Sequence, residues 1–293
     1  MIKKISIVII LSLFLTGILG VYITLNNRQK RRLALIEAQK NAKAPEISIR
    51  LIEGWSNKEV ADYLEKQGIV PAKDFLAAAK NFDVSEYNFL PEQAKGDLQG
   101  FLYPDTYRLF ESIKDRGVNS PKEAAEQIII KLLNNFRSKL PDTAEALAKK
   151  QGLDLYQAIV LASIIEKETG RTTITATQKE GLDEERKTIA GIFYNRLNIK
   201  MALESDATVN YVTGKNDPAV SQKDLETDSP YNTYKYRGLP PSPICNPSLS
   251  SIMAVLNPTD SGFLYFLHDQ TTGKAYYAKT YEEHLRNKQR YLK

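Results

Sequence analysis

The sequence predicts an α+β protein, and three observations support this prediction. Several stretches carry apolar residues three or four positions apart, which is typical of helices. Residues 47–52 and 264–278 instead contain short segments typical of β-strands. A charge-free apolar run at residues 5–25 precedes both and predicts one transmembrane helix.

The composition is that of an ordinary globular protein, with 42% apolar and 26% charged residues. A chain of 293 residues can form one or two domains with a sizeable core. The net charge of +5, without basic runs interleaved with aromatic residues, argues against a nucleic-acid-binding protein. The single cysteine, Cys245, excludes an internal disulfide, and two histidines are too few for a histidine-rich metal site. We therefore expect no metal and no cofactor.

The amino-terminal run is long enough to cross a bilayer, because 21 helical residues span roughly 30 Å. A cleavable signal peptide would have a shorter apolar core. We therefore expect an uncleaved anchor at residues 5–25, with residues 1–4 as a tip and residues 26–46 as a charged stalk. Basic residues after the span outnumber those before it, and a literal positive-inside count would leave the rest in the cytoplasm. The residues alone leave the orientation open.

Residues 47–95 predict a small strand–turn–helix module. Ile47, Ile49 and Leu51 alternate with other residues as in a half-buried strand. Ser56 and Glu59 form the pattern of a capping box at the start of a helix. The module is either a glycan-binding unit or a structural lobe of the larger domain.

Residues 96–293 predict a mixed α/β domain. The segment GFLYPDTY at 100–107 is rich in aromatic and turn residues, which either line a cleft or pack the core. A capping pattern at Ser120–Glu123 starts a long helix. The tail predicts a hairpin from residues 264–267 and 275–278, followed by a helix capped by Thr280 and Glu283.

The stretch YQAIVLASIIEKETG at 156–170 predicts a buried helix, because it is apolar on nearly every face. We expect Gly170 to end this helix in a left-handed conformation. Burial and the negative end of the helix dipole would both favour the protonated form of Glu166. A protonated glutamate can act as a general acid. The alternative is a solvated carboxylate at the end of the helix.

The residues after this helix predict loops around one further helix. Residues 171–186 are polar and threonine-rich, and we expect a flap there, followed by a helix at residues 188–198. The tetrad Tyr231–Tyr234 lies close to a proline-rich segment at 239–244, which is stiff. Such a segment beside polar aromatic residues would suit one wall of a sugar-binding cleft.

Several motifs together resemble the YceG-like (MltG) family of endolytic murein transglycosylases. They are ASIIEKETG at 162–170, FYNRL at 193–197, LESDATVNY at 203–211, DLETDSPYNTY at 224–234 and GLPPSPICNP at 238–247. The segment at 100–107 and the module at 47–68 also match, the latter as the family's LysM-like subdomain. The chain differs from the usual pattern of the family at Glu204 and Ala207.

The resemblance implies a bacterial enzyme anchored in the cytoplasmic membrane, with its catalytic YceG-like domain at residues 96–293 outside the cell. It would cleave nascent peptidoglycan strands internally, between N-acetylmuramic acid and N-acetylglucosamine, and so limit their length. Wall-synthesis enzymes would be its neighbours. The essential glutamate of the family falls on Glu166, which would act first as an acid and then as a base.

We further expect a glycan cleft lined by six residues. They are Ser205, Asp206, Thr208, Tyr231, Asn232 and Tyr234. One alternative function is a glycan hydrolase with Glu204, Asp206 or Glu226 as the second carboxylate, since ordinary glycosidases use two. The other alternative is a membrane-bound scaffold that binds glycan without catalysis.

Overall fold

Helices dominate the described part of the chain, and two small antiparallel sheets accompany them, which confirms the α+β prediction. The computed structural model describes residues 29–30, 46–110, 120–170, 176–215, 220–269 and 271–292, excluding the side chains of Phe110 and residues 176–180. The predicted transmembrane span and most of the stalk lie outside these residues. Within the described ranges, we find no helix that is both long and apolar enough to cross a membrane.

The chain divides into two units, Met1–Pro45 and Glu46–Lys293, and the second contains the elements named here. Its strands are β1 (Glu46–Arg50), β2 (Thr106–Phe110), β3 (Tyr265–His268) and β4 (Ala275–Ala278). Its helices are α1 (Asn57–Lys66), α2 (Ala72–Lys80), α3 (Pro121–Lys139), α4 (Ala144–Lys150), α5 (Leu155–Thr169), α6 (Ala176–Asn198), α7 (Asp206–Thr213), α8 (Gln222–Leu225), α9 (Leu249–Leu256) and α10 (Tyr281–Tyr291). A 3₁₀ turn occupies Glu92–Ala94.

The first sheet joins segments that are far apart in the sequence. Strand β1 pairs antiparallel with β2, so that Ile49 lies opposite Tyr107. This pairing crosses the domain boundary predicted at residue 95, and α2 also packs against α3 beyond that boundary. This arrangement is the one expected if residues 47–95 form a structural lobe of the larger domain. A separate LysM-like subdomain stays a prediction.

Helix α5 lies at the centre of the core, as its apolar sequence predicts. Its residues 158–165 are each no more than 1% exposed. Helices α4, α6 and α9 pack against it. Burial on several faces fixes the direction of the side chains in its last turn, where Glu166 lies.

Helix α6 starts earlier than the sequence predicted. The expected flap at 171–186 was wrong for residues 176–186, which belong to the helix that begins at Ala176. Leu182, Arg186 and Ile189 are buried at helical spacing, so this part of the chain packs one face inward. The threonine-rich composition concealed that periodicity.

The carboxyl-terminal hairpin and helix confirm the prediction for the tail. Strands β3 and β4 pair antiparallel, with Tyr265 opposite Ala278. Thr280 and Glu283 form a complete capping box at the start of α10. Helix α10 packs on both strands and closes this end of the domain.

Candidate active site

Glu166 lies in the last turn of α5 and is only 4% exposed. The helix ends at Gly170 as expected, but the left-handed conformation predicted for Gly170 was wrong, because its φ is −62° and its ψ is 111°. A Cβ atom at this position would lie 2.9 Å from the carbonyl oxygen of Glu166. Close approach to the helix end, rather than backbone handedness, therefore favours glycine here.

Three donors from the start of α9 hold one oxygen of the Glu166 carboxylate. Ser248 donates to Oε2 through its backbone N–H at 2.9 Å and its hydroxyl at 2.5 Å. Ser251 donates its hydroxyl to the same oxygen at 2.7 Å. Ser248 is also the N-cap of α9, so the carboxylate faces the positive end of that helix.

The other carboxylate oxygen faces an arginine of α6. Arg186 Nη2 lies 3.6 Å from Oε1 of Glu166, and both side chains are almost fully buried. Arg186 Nε donates to the Thr169 hydroxyl at 3.2 Å, and Nη1 contacts Asp183 at 3.1 Å. Three contacts through three nitrogens fix the guanidinium beside Glu166.

The pocket is therefore more polar than the sequence suggested. Burial and the carboxyl end of α5 disfavour a charge on Glu166, as expected. The donors of α9 and the guanidinium of Arg186 act in the opposite direction, since they stabilise the ionised form. Sequence reasoning missed Arg186, Ser248 and Ser251. The helical spacing of Arg186 and the Ser-x-x-Ser pattern before an apolar helix were the available signals.

The proline-rich segment places Ser248 beside Glu166. The buried hydroxyl of Ser163 accepts the backbone N–H of Ile244 at 3.0 Å, which attaches the segment to α5. The side chain of Asn246 accepts N–H groups of Gly100 and Leu102 and donates to Trp55. These bonds join the motif at 100–107 and the turn before α1 to one side of the site.

The turn at residues 53–55 lies next to Glu166. A Cβ atom on Gly54 would be 3.6 Å from Glu166 Cγ. The ammonium of Lys167 donates to the carbonyl oxygen of Gly54 at 3.3 Å. A polar cavity of about 280 Å³ opens beside this turn, and its lining includes Glu53 and Tyr103 but not Glu166.

A second polar group lies at the same end of α5 and contains three of the predicted cleft residues. Ser205 donates its hydroxyl to Glu168 in a short hydrogen bond. Asp206 accepts the hydroxyl of Tyr234 at 2.6 Å. Burial, and the nearby charge of Asp206, raise the pKa of Glu168, although the bond from Ser205 opposes this. Burial, more than Asp206, also raises the pKa of Tyr234.

The other predicted cleft residues have separate surroundings. Thr208 is fully buried and bonds to the backbone of Ser205 and to Thr233. Asn232 is buried, and its amide donates to two backbone carbonyls of its own loop. Tyr231 is half-buried, bonds to Ser242 and packs against the ring of Tyr211. Asp206, Tyr231 and Tyr234 thus retain exposed surface, and the binding role of all six residues stays a prediction.

The three candidates for the second carboxylate of a glycan hydrolase differ in their surroundings. Asp206 bonds to Tyr234, whereas Glu204 is exposed and lies 3.5 Å from Arg196. Glu204 also has a φ of 49°, a left-handed conformation that is uncommon outside glycine. Glu226 is exposed at the end of α8.

Comparison with known proteins matches residues 20–290 to the model of the YceG-like family. The chain is 36% identical over 240 residues to the endolytic murein transglycosylase of Bacillus subtilis, covering 81% of this chain and 59% of that protein. It is 37% identical over 199 residues to the endolytic murein transglycosylase of Streptococcus pneumoniae serotype 2, covering 66% of this chain and 32% of that protein. The chain thus spans less than two thirds of the length of either relative.

A crystal structure of a YceG-like protein from Listeria monocytogenes is also similar. It superposes with a TM-score of 0.66 at 30% sequence identity, covering 88% of this chain and 80% of that one. The similarity extends over most of the chain.

Proposed function

Because the chain belongs to the YceG-like family, we propose that it is an endolytic lytic transglycosylase of peptidoglycan. The observation that carries this proposal is the carboxylate of Glu166, buried at the end of α5 and held by Ser248, Ser251 and Arg186. The names of the relatives from Bacillus subtilis and Streptococcus pneumoniae support the substrate and the reaction.

In the first step, protonated Glu166 gives its proton to the oxygen that bridges N-acetylmuramic acid and N-acetylglucosamine. The bond between that oxygen and the anomeric carbon of the muramoyl residue breaks. N-Acetylglucosamine leaves with a free 4-hydroxyl group. A positioned general acid commonly contributes about 10²–10⁴-fold to the rate of such a step.

In the second step, the Glu166 carboxylate takes the proton of the muramoyl 6-hydroxyl. The 6-oxygen bonds to the anomeric carbon and closes a 1,6-anhydro ring. Glu166 regains the proton that it gave away, and no water is consumed. One carboxyl group is therefore enough, whereas ordinary hydrolysis of a glycoside uses two.

The contacts of Glu166 favour Oε1 as the oxygen that carries the transferred proton. Oε2 already accepts three hydrogen bonds, which occupy its lone pairs. The position of Arg186 beside Oε1 suits the first step, because loss of the proton leaves a negative charge there. With 4% exposure, Glu166 meets a glycan only after neighbouring side chains move apart.

We further propose that residues 5–25 anchor the chain in the bacterial cytoplasmic membrane, with the catalytic part outside. The support for this proposal is the apolar, charge-free run and the family membership. Nascent glycan strands would pass close to that membrane, and peptidoglycan synthases are the expected neighbours. The exposed surfaces of Asp206, Tyr231 and Tyr234 would contact the glycan.

Digestion of purified, uncrosslinked glycan strands with the full-length protein tests the proposal. Mass spectrometry should show products that result from cleavage inside the original strands and that end in 1,6-anhydromuramoyl residues. Reducing ends would instead indicate a hydrolase with a second carboxylate. Binding without cleavage would indicate a scaffold.

A further inference from the structure

We propose that Arg186 is a positioning residue for the reaction, and that its charge sets the upper pH limit of activity through Glu166. This inference rests on the proposed function. It concerns a residue outside the motifs quoted above for the resemblance, in a segment that the sequence predicted to be a loop.

The first support is that the guanidinium is fixed. Arg186 is 7% exposed, although arginine is rarely buried unless it is paired. Its Nε donates to Thr169, which in turn donates to the carbonyl oxygen of Ile165. This chain of bonds ties Arg186 to the same helical turn that carries Glu166.

The second support is the distance between the charges. Nη2 of Arg186 lies 3.6 Å from Oε1 of Glu166, which is too long for a hydrogen bond and close enough for a strong ionic interaction. The side chains are 8% and 4% exposed, so solvent screens this interaction weakly. Arginine stays protonated across the working pH range. The guanidinium therefore favours the ionised form of Glu166 at every such pH.

Among the residues that the structure describes, the other charged or titratable groups around Glu166 leave this role to Arg186. Lys167 turns its ammonium to the carbonyl oxygen of Gly54, and Asp183 contacts Arg186 rather than Glu166. Burial raises the pKa of the Tyr103 hydroxyl and that of the Cys245 thiol, so both stay neutral near pH 7. From α9, the contacting side chains are the neutral Ser248 and Ser251.

Substitution of either partner of the Arg186–Asp183 ion pair removes that pair, but the two substitutions give opposite predictions for the pH limit. Arg186→Met removes the positive charge that lies 3.6 Å from Oε1 of Glu166, so the alkaline limit of kcat/KM should rise by about 1–3 pH units. Asp183→Asn removes the negative charge that partly offsets the guanidinium, so the alkaline limit should fall. Because Asp183 is 39% exposed, this fall should be small, roughly a few tenths of a pH unit.

The experiment measures the pH dependence of 1,6-anhydro product formation by the full-length wild-type protein and both variants. If the Arg186–Asp183 pair had a purely structural role, the alkaline limits of both variants would shift in the same direction, or only their melting temperatures would change. Arg186→Lys keeps a positive charge, so its alkaline limit should lie between those of the wild type and Arg186→Met. If Arg186→Met does not fold, Asp183→Asn decides alone, and an unchanged or raised limit overturns the inference.

The result also separates this inference from the proposed function. A wild-type protein that forms no anhydro ends at any pH contradicts the function itself. An active wild-type protein whose alkaline limit coincides with that of Arg186→Met contradicts only the role of Arg186.

Discussion

Ser248 and Ser251 contact the same oxygen of Glu166 but differ in what else they do. The Ser248 hydroxyl accepts the backbone N–H of Ser251 and caps α9, whereas the Ser251 hydroxyl donates to Glu166 without a capping role. Both hydroxyls should help to stabilise the carboxylate that forms when the proton leaves.

We therefore expect Ser248→Ala and Ser251→Ala both to lower kcat, by roughly 10-fold or more, since each removes a donor to a charged group. Ser248→Ala should additionally lower the free energy of unfolding by about 1 kcal/mol through the lost cap. Kinetics and urea unfolding of the two variants measure this difference. Equal stability losses would contradict the separate capping role.

Glu168 provides a test through the pH dependence of stability. Burial raises its pKa in the folded protein above the ordinary value of 4.5. Its stabilising contribution is therefore complete below about pH 4.5 and is lost as the pH rises through the folded pKa. We expect Glu168→Gln, which stays neutral, to unfold at a higher temperature than the wild type at pH 7.

Calorimetry at pH 4 and pH 7 checks this expectation. The advantage of Glu168→Gln should shrink toward pH 4, where the wild-type carboxyl group is protonated in both states. Glu282→Gln, at an exposed position of α10, should show no such trend. A variant that is less stable than the wild type at pH 7 would mean that the bond from Ser205 outweighs burial.

For individual residues, the sequence predicted the burial of Glu166 at the end of a helix, but it did not predict the side chains that contact Glu166. The apolar run before it indicated burial, and its position indicated the end of a helix. Ser248 lies 82 residues further along the chain, and local patterns carry no information about such long-range pairing. The polar surroundings of Glu166 were missed for the same reason, because the donors come from another helix.

Among the elements, α6 carries Arg186 toward Glu166, and the next turns of this helix are in close contact with the segment after α9. A Cβ atom on Gly191 would lie 2.1 Å from the carbonyl oxygen of Thr259. Thr259 also donates its N–H to the carbonyl oxygen of Lys187. Gly191 thus allows this segment to lie directly on the helix.

We expect Gly191→Ala to lower the free energy of unfolding by about 1–3 kcal/mol, because the segment and the helix must move apart. Gly181→Ala, in the same helix with open space around it, should instead stabilise the protein by roughly 0.5–1 kcal/mol. Urea unfolding of both variants measures these effects. Destabilisation of similar size by both would mean that contact with Thr259 does not explain the effect of Gly191→Ala.

The sequence predicted most elements where capping patterns and apolar periodicity agreed. Ser56–Glu59 and Thr280–Glu283 form the capping boxes expected from the sequence. The start of α6 was missed, because threonine and glycine weaken a helical pattern that tertiary packing then stabilises. The pairing of β1 with β2 was missed, because strand partners 56 to 64 residues apart leave no local signal.

For the whole molecule, the division at Pro45 predicts that the second unit folds independently. A protein that starts at Glu46 should unfold within about 2 °C of the full-length chain. Full-length protein should sediment with phospholipid vesicles, whereas the shortened protein should remain in solution, because residues 5–25 carry the proposed anchor.

Thermal unfolding and vesicle sedimentation measure these two outcomes separately. A shortened protein that melts more than about 5 °C earlier would show that the first 45 residues contribute to the fold. Sedimentation of the shortened protein would place the membrane contact in the second unit instead.

The central claim is that Glu166 transfers the proton in a reaction that makes 1,6-anhydro ends. The most direct test compares wild type, Glu166→Gln and the exposed control Glu282→Gln on uncrosslinked glycan, with mass spectrometry of the new ends. Glu166→Gln should fold normally and reduce anhydro products by at least about 100-fold, while Glu282→Gln should match the wild type. Anhydro ends formed by Glu166→Gln at the wild-type rate would contradict the account.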